Sequence, residues 1–241
     1  MLSGANTLLK AKKVLIFSKT EGYHHTSIHY ANKVLKEYLA QHGYDADTSN
    51  DASLIVEENL RSYAAIIFLS TTGDIFNAQQ QADFERFIQA GGGFVGIHAA
   101  TDTEYDWPWY NQFVGAYFAS HPKQQDATIQ VLDKNHPATK HLPDQWERFD
   151  EWYNFKSINK EVDVLCLLDE STYEGGENGP EHPFSWYHEF DGGRMFYTAG
   201  GHREDNYDEP LFLKHILGGL NWVTSGEKLN YQNARSERTL R

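Results

Sequence analysis

Across residues 13–98, short apolar runs alternate with stretches of helical periodicity. Residues 14–17 (VLIF) are a continuous apolar run with β-branched residues, as expected of a strand buried on both faces. Thr26 and Ser27 can cap a following helix in which Ile28, Ala31, Val34, Leu35, Tyr38 and Leu39 recur at helical spacing, with Gly43 as a stop. Residues 64–69 (AAIIFL) repeat the strand pattern, and Asn77 can cap a helix that turns Phe84, Phe87 and Ile88 inward before Gly91–Gly93. Residues 94–97 (FVGI) form the next strand. Strands separated by helix-length segments imply βαβ units, hence an α/β, three-layer, doubly wound and mostly parallel sheet.

Beyond residue 120 the rhythm changes. Residues 127–132, 162–168, 184–190 and 194–198 read as strands without intervening helices, and Asp191-Gly192-Gly193 between the last two predicts a β-hairpin, taken as a C-terminal extension of the sheet. A closing helix spans 210–223. With no repeat or linker, residues 13–225 read as a single domain and 226–241 as a polar tail, frayed over 230–241.

Charge and cysteine usage narrow the function. Twenty-one Lys+Arg against 34 Asp+Glu give a net charge of −13, which argues against nucleic-acid or anionic membrane partners. No apolar run approaches the roughly 18 residues of a membrane span. The opening segment, residues 1–13, lacks the apolar core of a signal peptide, so the chain reads as cytoplasmic. Cys166 is the only cysteine, which excludes an internal disulfide or a cysteine-based zinc site, and its apolar surroundings make it a core thiol.

Ligands of open α/β sheets bind at the carboxyl ends of the strands. Gly22-Tyr23-His24-His25-Thr26 follows the first strand, and His98-Ala99-Ala100-Thr101-Asp102 follows residues 94–97. Gly96-Ile97-His98-Ala99-Ala100 matches the small-residue pattern of a strand-to-helix elbow with an imidazole at the central position. Histidine there suits acid/base work or metal ligation rather than ordinary acyl-enzyme chemistry.

Further matching segments are, in order, Gly22-Tyr23-His24, residues 91–98 (GGGFVGIH), Asp102, Trp107-Pro108, His121-Pro122 and residues 136–139 (HPAT). They continue with residues 150–153 (DEWY), His182-Pro183, Trp186, residues 193–198 (GRMFYT), Gly201-His202 and Trp222. Over about residues 13–225 the chain resembles the ThuA-like (trehalose utilisation) family. The resemblance implies a flavodoxin-related fold of the class I glutamine amidotransferase type and a role in metabolism of trehalose, related disaccharides and 3-keto-sugars. Glutaminase activity is not expected, because the elbow carries His98 where the fold relatives use cysteine.

The catalytic candidates are His98, His24, Asp102, Glu151 and His202. His24 would face His98, leaving His25 spare; Asp102 either orients the imidazole or caps a helix. Glu151 and Tyr153 share one side of an extended segment, a carboxylate beside an aromatic that suits sugar hydroxyls and ring faces. Gly200-Gly201 permits a backbone path that turns His202 into the cleft. Tyr153, Trp186, His188 and Trp107 are the substrate-binding candidates, with core packing as the alternative for Trp186 and His188. His121 and His136 precede proline and read as turn residues. A divalent metal such as zinc, if bound, would take His24, His98 and His202. The expected function is an enzyme acting on a disaccharide, glycoside or 3-keto-sugar by histidine acid/base chemistry. The alternative is a noncatalytic sugar-binding or regulatory module. The expected partner is a small carbohydrate, with a homo-oligomer compatible with the late hairpin.

Overall fold

The computed structural model describes residues 11–237; the first ten and last four residues, which hold most of the opening segment and the end of the tail, lie outside that range. The apolar runs become central strands: β1 (Lys12–Phe17), β3 (Ala65–Leu69) and β4 (Gly93–Ile97), with β3 and β4 buried along their whole length. β2 (Tyr44–Ser49), which the sequence reading did not anticipate, pairs parallel with β1 at the sheet edge. α1 (Ile28–Ala40), a short α2 (Glu57–Leu60) and α3 (Ala78–Gln89) connect these strands.

The two long helices start differently. Asn77 Oδ1 accepts from Gln80 N while Gln80 Oε1 accepts from Asn77 N, a reciprocal cap on α3. Ser27 caps α1 only by position. Its backbone is already helical, its hydroxyl makes no cap bond, and Ile28 N donates to the carbonyl of His25 instead.

The remaining elements are α4 (Pro108–Val114), β5 (Tyr117–Ser120), β6 (Gln125–Val131), β7 (Gln145–Asp150), β8 (Asn154–Lys156), β9 (Asp163–Asp169), β10 (Pro183–Phe190), β11 (Gly193–Thr198) and α5 (Pro210–Val223). β5 and β8 form a separate two-stranded pair. The main sheet has the order β2-β1-β3-β4-β11-β10-β9-β6-β7. Following the pairings, seven of these nine strands run in one direction and β10 and β6 run opposite. The doubly wound α/β class therefore holds.

The hairpin forms as expected: Asp191 and Gly192 have φ of +46° and +98°, the pair of positive values that a two-residue turn of this hand requires. It lies inside the sheet, however, not beyond it. β11 pairs parallel with β4, so the hairpin joins the parallel strands to the antiparallel ones. Cys166, on β9, is fully buried, and burial pushes its thiol up to about 12. The start of the tail packs onto α3, with Asn230 N donating to Ala90 O and the Arg235 and Ser236 amides donating to Gln89 Oε1. Through residue 237, this replaces the expected fraying with defined contacts. Among the described residues no helix is long and apolar enough to cross a membrane.

Candidate functional site

The strand order reverses between β1 and β3, and the loops after β1, β4 and β11 meet at the carboxyl edge beside this switch point. β7 runs in the same direction, so its end delivers Glu151 to that edge too.

His98 occupies the elbow after β4 with φ of +51°, a left-handed conformation that is uncommon outside glycine. It is completely buried. Its Nδ1 lies 2.9 Å from the Ala199 carbonyl oxygen, which can only accept; Nδ1 therefore carries hydrogen and Nε2 faces the cluster. His202 follows Gly201, whose φ is +111°, and a Cβ at 201 would meet Tyr207 Oη at 2.7 Å. His202 Nδ1 is 3.2 Å from His98 Nε2 and 3.0 Å from Glu151 Oε2, and Oε2 is 3.6 Å from His98 Nε2. The other Glu151 oxygen lies 3.2 Å from His121 Nδ1.

The fourth member is His25. Only 2% exposed, its ring stands edge-on to those of His98 and His202, with centroids 4.8 and 5.1 Å away. Its Nδ1 has no hydrogen-bond partner among the described residues. Burial, then the neighbouring His98 and His202, lower its pKa to about 2, so the ring is neutral. Burial alone would raise the Glu151 carboxyl. The neighbouring imidazoles of His202, 3.0 Å away, and His98 instead hold it well below the usual carboxylate range.

This donor set fits a metal ion. One ligand atom from each of His25, His98, Glu151 and His202 can be chosen so that all four lie within 4.8 Å of one another. Tetrahedral zinc with bonds of roughly 2.0–2.1 Å has ligand atoms about 3.3 Å apart. The separations of 3.0, 3.2 and 3.6 Å bracket that edge. His25 adds a buried nitrogen without a partner, as a vacant ligand would.

The expected residues divide. His98, Glu151 and His202 converge, and Tyr153 lays its ring 4.2 Å from that of His98. His24 does not join them: it is exposed and its Nδ1 meets Thr20 Oγ1 at 3.0 Å, while the adjacent His25 turns inward. The metal set anticipated with His24 is thus corrected to His25, with Glu151 added. Asp102 is half-buried and accepts from the Tyr105 hydroxyl at 2.6 Å, whereas the Ala199 carbonyl orients His98.

Three candidate binding residues are structural. Trp186 Nε1 donates to Val114 O, His188 Nε2 bonds Phe113 O at 2.7 Å, and Trp107 Nε1 donates to Glu85. All three are buried. His121 went unrecognised because the proline after it suggested only turn geometry.

A cavity of about 390 Å³ opens beside His202, lined also by Thr26, Gln124, Arg203, Glu204 and Asp205. A larger one, about 700 Å³, lies around Asp191 and Arg235 at the start of β11, remote from the four cluster residues.

Fold and site together define an α/β protein with a buried histidine–carboxylate cluster at the carboxyl edge of its sheet. The chain belongs to the ThuA family, described as trehalose utilisation, whose model matches residues 13–223. A ThuA-like protein from Bacteroides uniformis is 26% identical with a TM-score of 0.77, covering 91% of this chain and 95% of that one. One from Parabacteroides merdae is 22% identical with a TM-score of 0.77, covering 91% and 92%. A cytoplasmic protein from Salmonella typhimurium shares the fold at 12% identity and a TM-score of 0.60, over 88% of this chain and 98% of that one. No curated protein sequence matches the chain significantly.

Proposed function

We propose that this chain is a carbohydrate-processing enzyme whose centre is a divalent cation, zinc-like in preference, held by His25, His98, Glu151 and His202. The observation that carries the reading is His25: a buried imidazole whose Nδ1 has no hydrogen-bond partner, grouped with two other imidazoles and a carboxylate. Family membership supports a sugar of the trehalose-utilisation type as substrate. A disaccharide, glycoside or 3-keto-sugar fits a cavity walled by the donors and acceptors of Gln124, Arg203, Glu204 and Asp205.

When bound, such a cation polarises a carbonyl or acidifies a water. The protein's own groups do the rest. Ala199 fixes the tautomer of His98, Glu151 balances charge, and the Tyr153 ring shields the imidazole from water. A keto-sugar has an acidic hydrogen beside its carbonyl, and polarisation of that carbonyl would favour elimination or isomerisation.

Elemental analysis should find about one equivalent of divalent metal per chain, as expected for one closed ligand set. With 3-keto-disaccharides as substrates, His25→Ala and His98→Ala should lower turnover at least ~100-fold, and His24→Ala should leave it within about twofold. Metal-free protein with chelator-insensitive turnover would sink the metal assignment. Sugar binding without product over long incubation would make the protein a binding module.

A further inference from the structure

Asp150 ends β7 with its carboxylate completely buried. Oδ1 accepts from Glu151 N at 2.9 Å and from His202 N at 3.2 Å, and Oδ2 accepts from Gly201 N at 2.8 Å. One side chain thus ties the backbones of two cluster residues that come from different strands and lie 51 positions apart in sequence. A carboxylate has lone pairs enough for all three donors.

The surroundings hold it in place. Arg148, two residues earlier on the same inward face of β7, lies with Nη1 3.6 Å from Oδ2. Its Nε and Nη2 donate to Glu209 at 2.9 and 3.1 Å, just before α5, and its guanidinium covers the Phe212 ring at 4.3 Å. Gly200 leaves room for this pair: a Cβ there would meet Arg148 Nη1 at 2.4 Å and Asp150 Oδ2 at 3.2 Å. The glycine pair before His202 therefore has two separate uses, space at 200 and a left-handed turn at 201.

From this geometry we infer that Asp150 is a positioning residue that sets the separation of Glu151 from His202, with Arg148 and Glu209 anchoring it to α5. The inference rests on the proposed cluster in that these two residues are its members. An asparagine at 150 would present an N–H where the carboxylate accepts. Either Gly201, or Glu151 and His202 together, would then lose an acceptor.

The test compares wild type, Asp150→Asn, and Leu165→Ala as a core variant away from the site, with Tm recorded for each. Titrated with Co²⁺, Asp150→Asn should bind about 10–100-fold more weakly, the range typical when a ligand's supporting contact is lost, with an altered d–d spectrum. Leu165→Ala should keep wild-type affinity and spectrum despite a lower Tm. Wild-type affinity and spectrum in Asp150→Asn, or an equal loss in Leu165→Ala, would overturn the inference. If wild type binds no Co²⁺, the proposed function fails by itself, and amide exchange on metal-free protein decides the role of Asp150. The amide of Gly201, or else those of Glu151 and His202, should then exchange at least ~10-fold faster in Asp150→Asn while β4 amides keep their protection. Unchanged exchange at 151, 201 and 202 would refute it.

Discussion

At the residue scale, the difference between His24 and His25 shows how fine the distinction is that sequence must make. Both are histidines at the expected loop; one faces Thr20 and solvent, the other lies in the cluster. Nothing in the spacing separates them, because the loop has no fixed period before α1 begins. His25 also has a pH consequence. Its pKa lies near 2 in the fold against 6.5 ordinarily, so below about pH 6.5 the unfolded chain binds a proton that the folded one refuses. Stability due to this group therefore falls as pH drops from 6.5 toward 2. Glu151, held low, adds a loss in the same direction as pH falls through and below the ordinary carboxylate range. Thermal melts in chelator at pH 7 and pH 5 should show a drop in Tm that His25→Gln makes smaller. His136 and His215, lowered to about 4 and about 3, sustain the remainder. Equal drops in both proteins would contradict the buried neutral state of His25.

At the element scale, the parallel strands were readable because their side chains are apolar on both faces, and the hairpin because its turn needs Asp-Gly. β7 escaped notice for a physical reason. Its inward positions are Trp146, Arg148 and Asp150, two of them charged, so the alternation that marks a half-buried strand has the wrong chemistry. β2 was hidden similarly by its run of polar residues at an edge. Trp186 and His188 were placed on a shared strand face correctly, but that face is covered by the α4 segment, whose carbonyls they bond. The loop from β11 to His202 allows a direct check. Gly201→Ala imposes a strained φ and a contact with the Tyr207 hydroxyl, and should destabilise the protein by ~1–3 kcal/mol in urea denaturation. A change below about 0.5 kcal/mol, the scale of ordinary surface substitutions, would mean the turn is not held as described.

At the scale of the whole molecule, the site draws on both halves of the sheet: His25 and His98 follow β1 and β4, His202 follows the hairpin strand that joins the halves, and Glu151 follows the far edge strand. A cation bound there clamps the halves together, and at 100 times its Kd it would add about 2.7 kcal/mol to the folded state. The buried thiol of β9 turns this into something that can be timed. Cys166 is the chain's sole cysteine, wholly enclosed and with its thiol pushed to about 12. A thiol reagent is thus silent toward the native molecule and reacts when the antiparallel half opens. Labelling at neutral pH should be slow, with a rate that rises with denaturant and falls when Zn²⁺ is supplied. Rapid labelling without denaturant would show that β9 is open in the native state. The protein carries its own clock for the parting of the two halves, one thiol per molecule, with no probe to install.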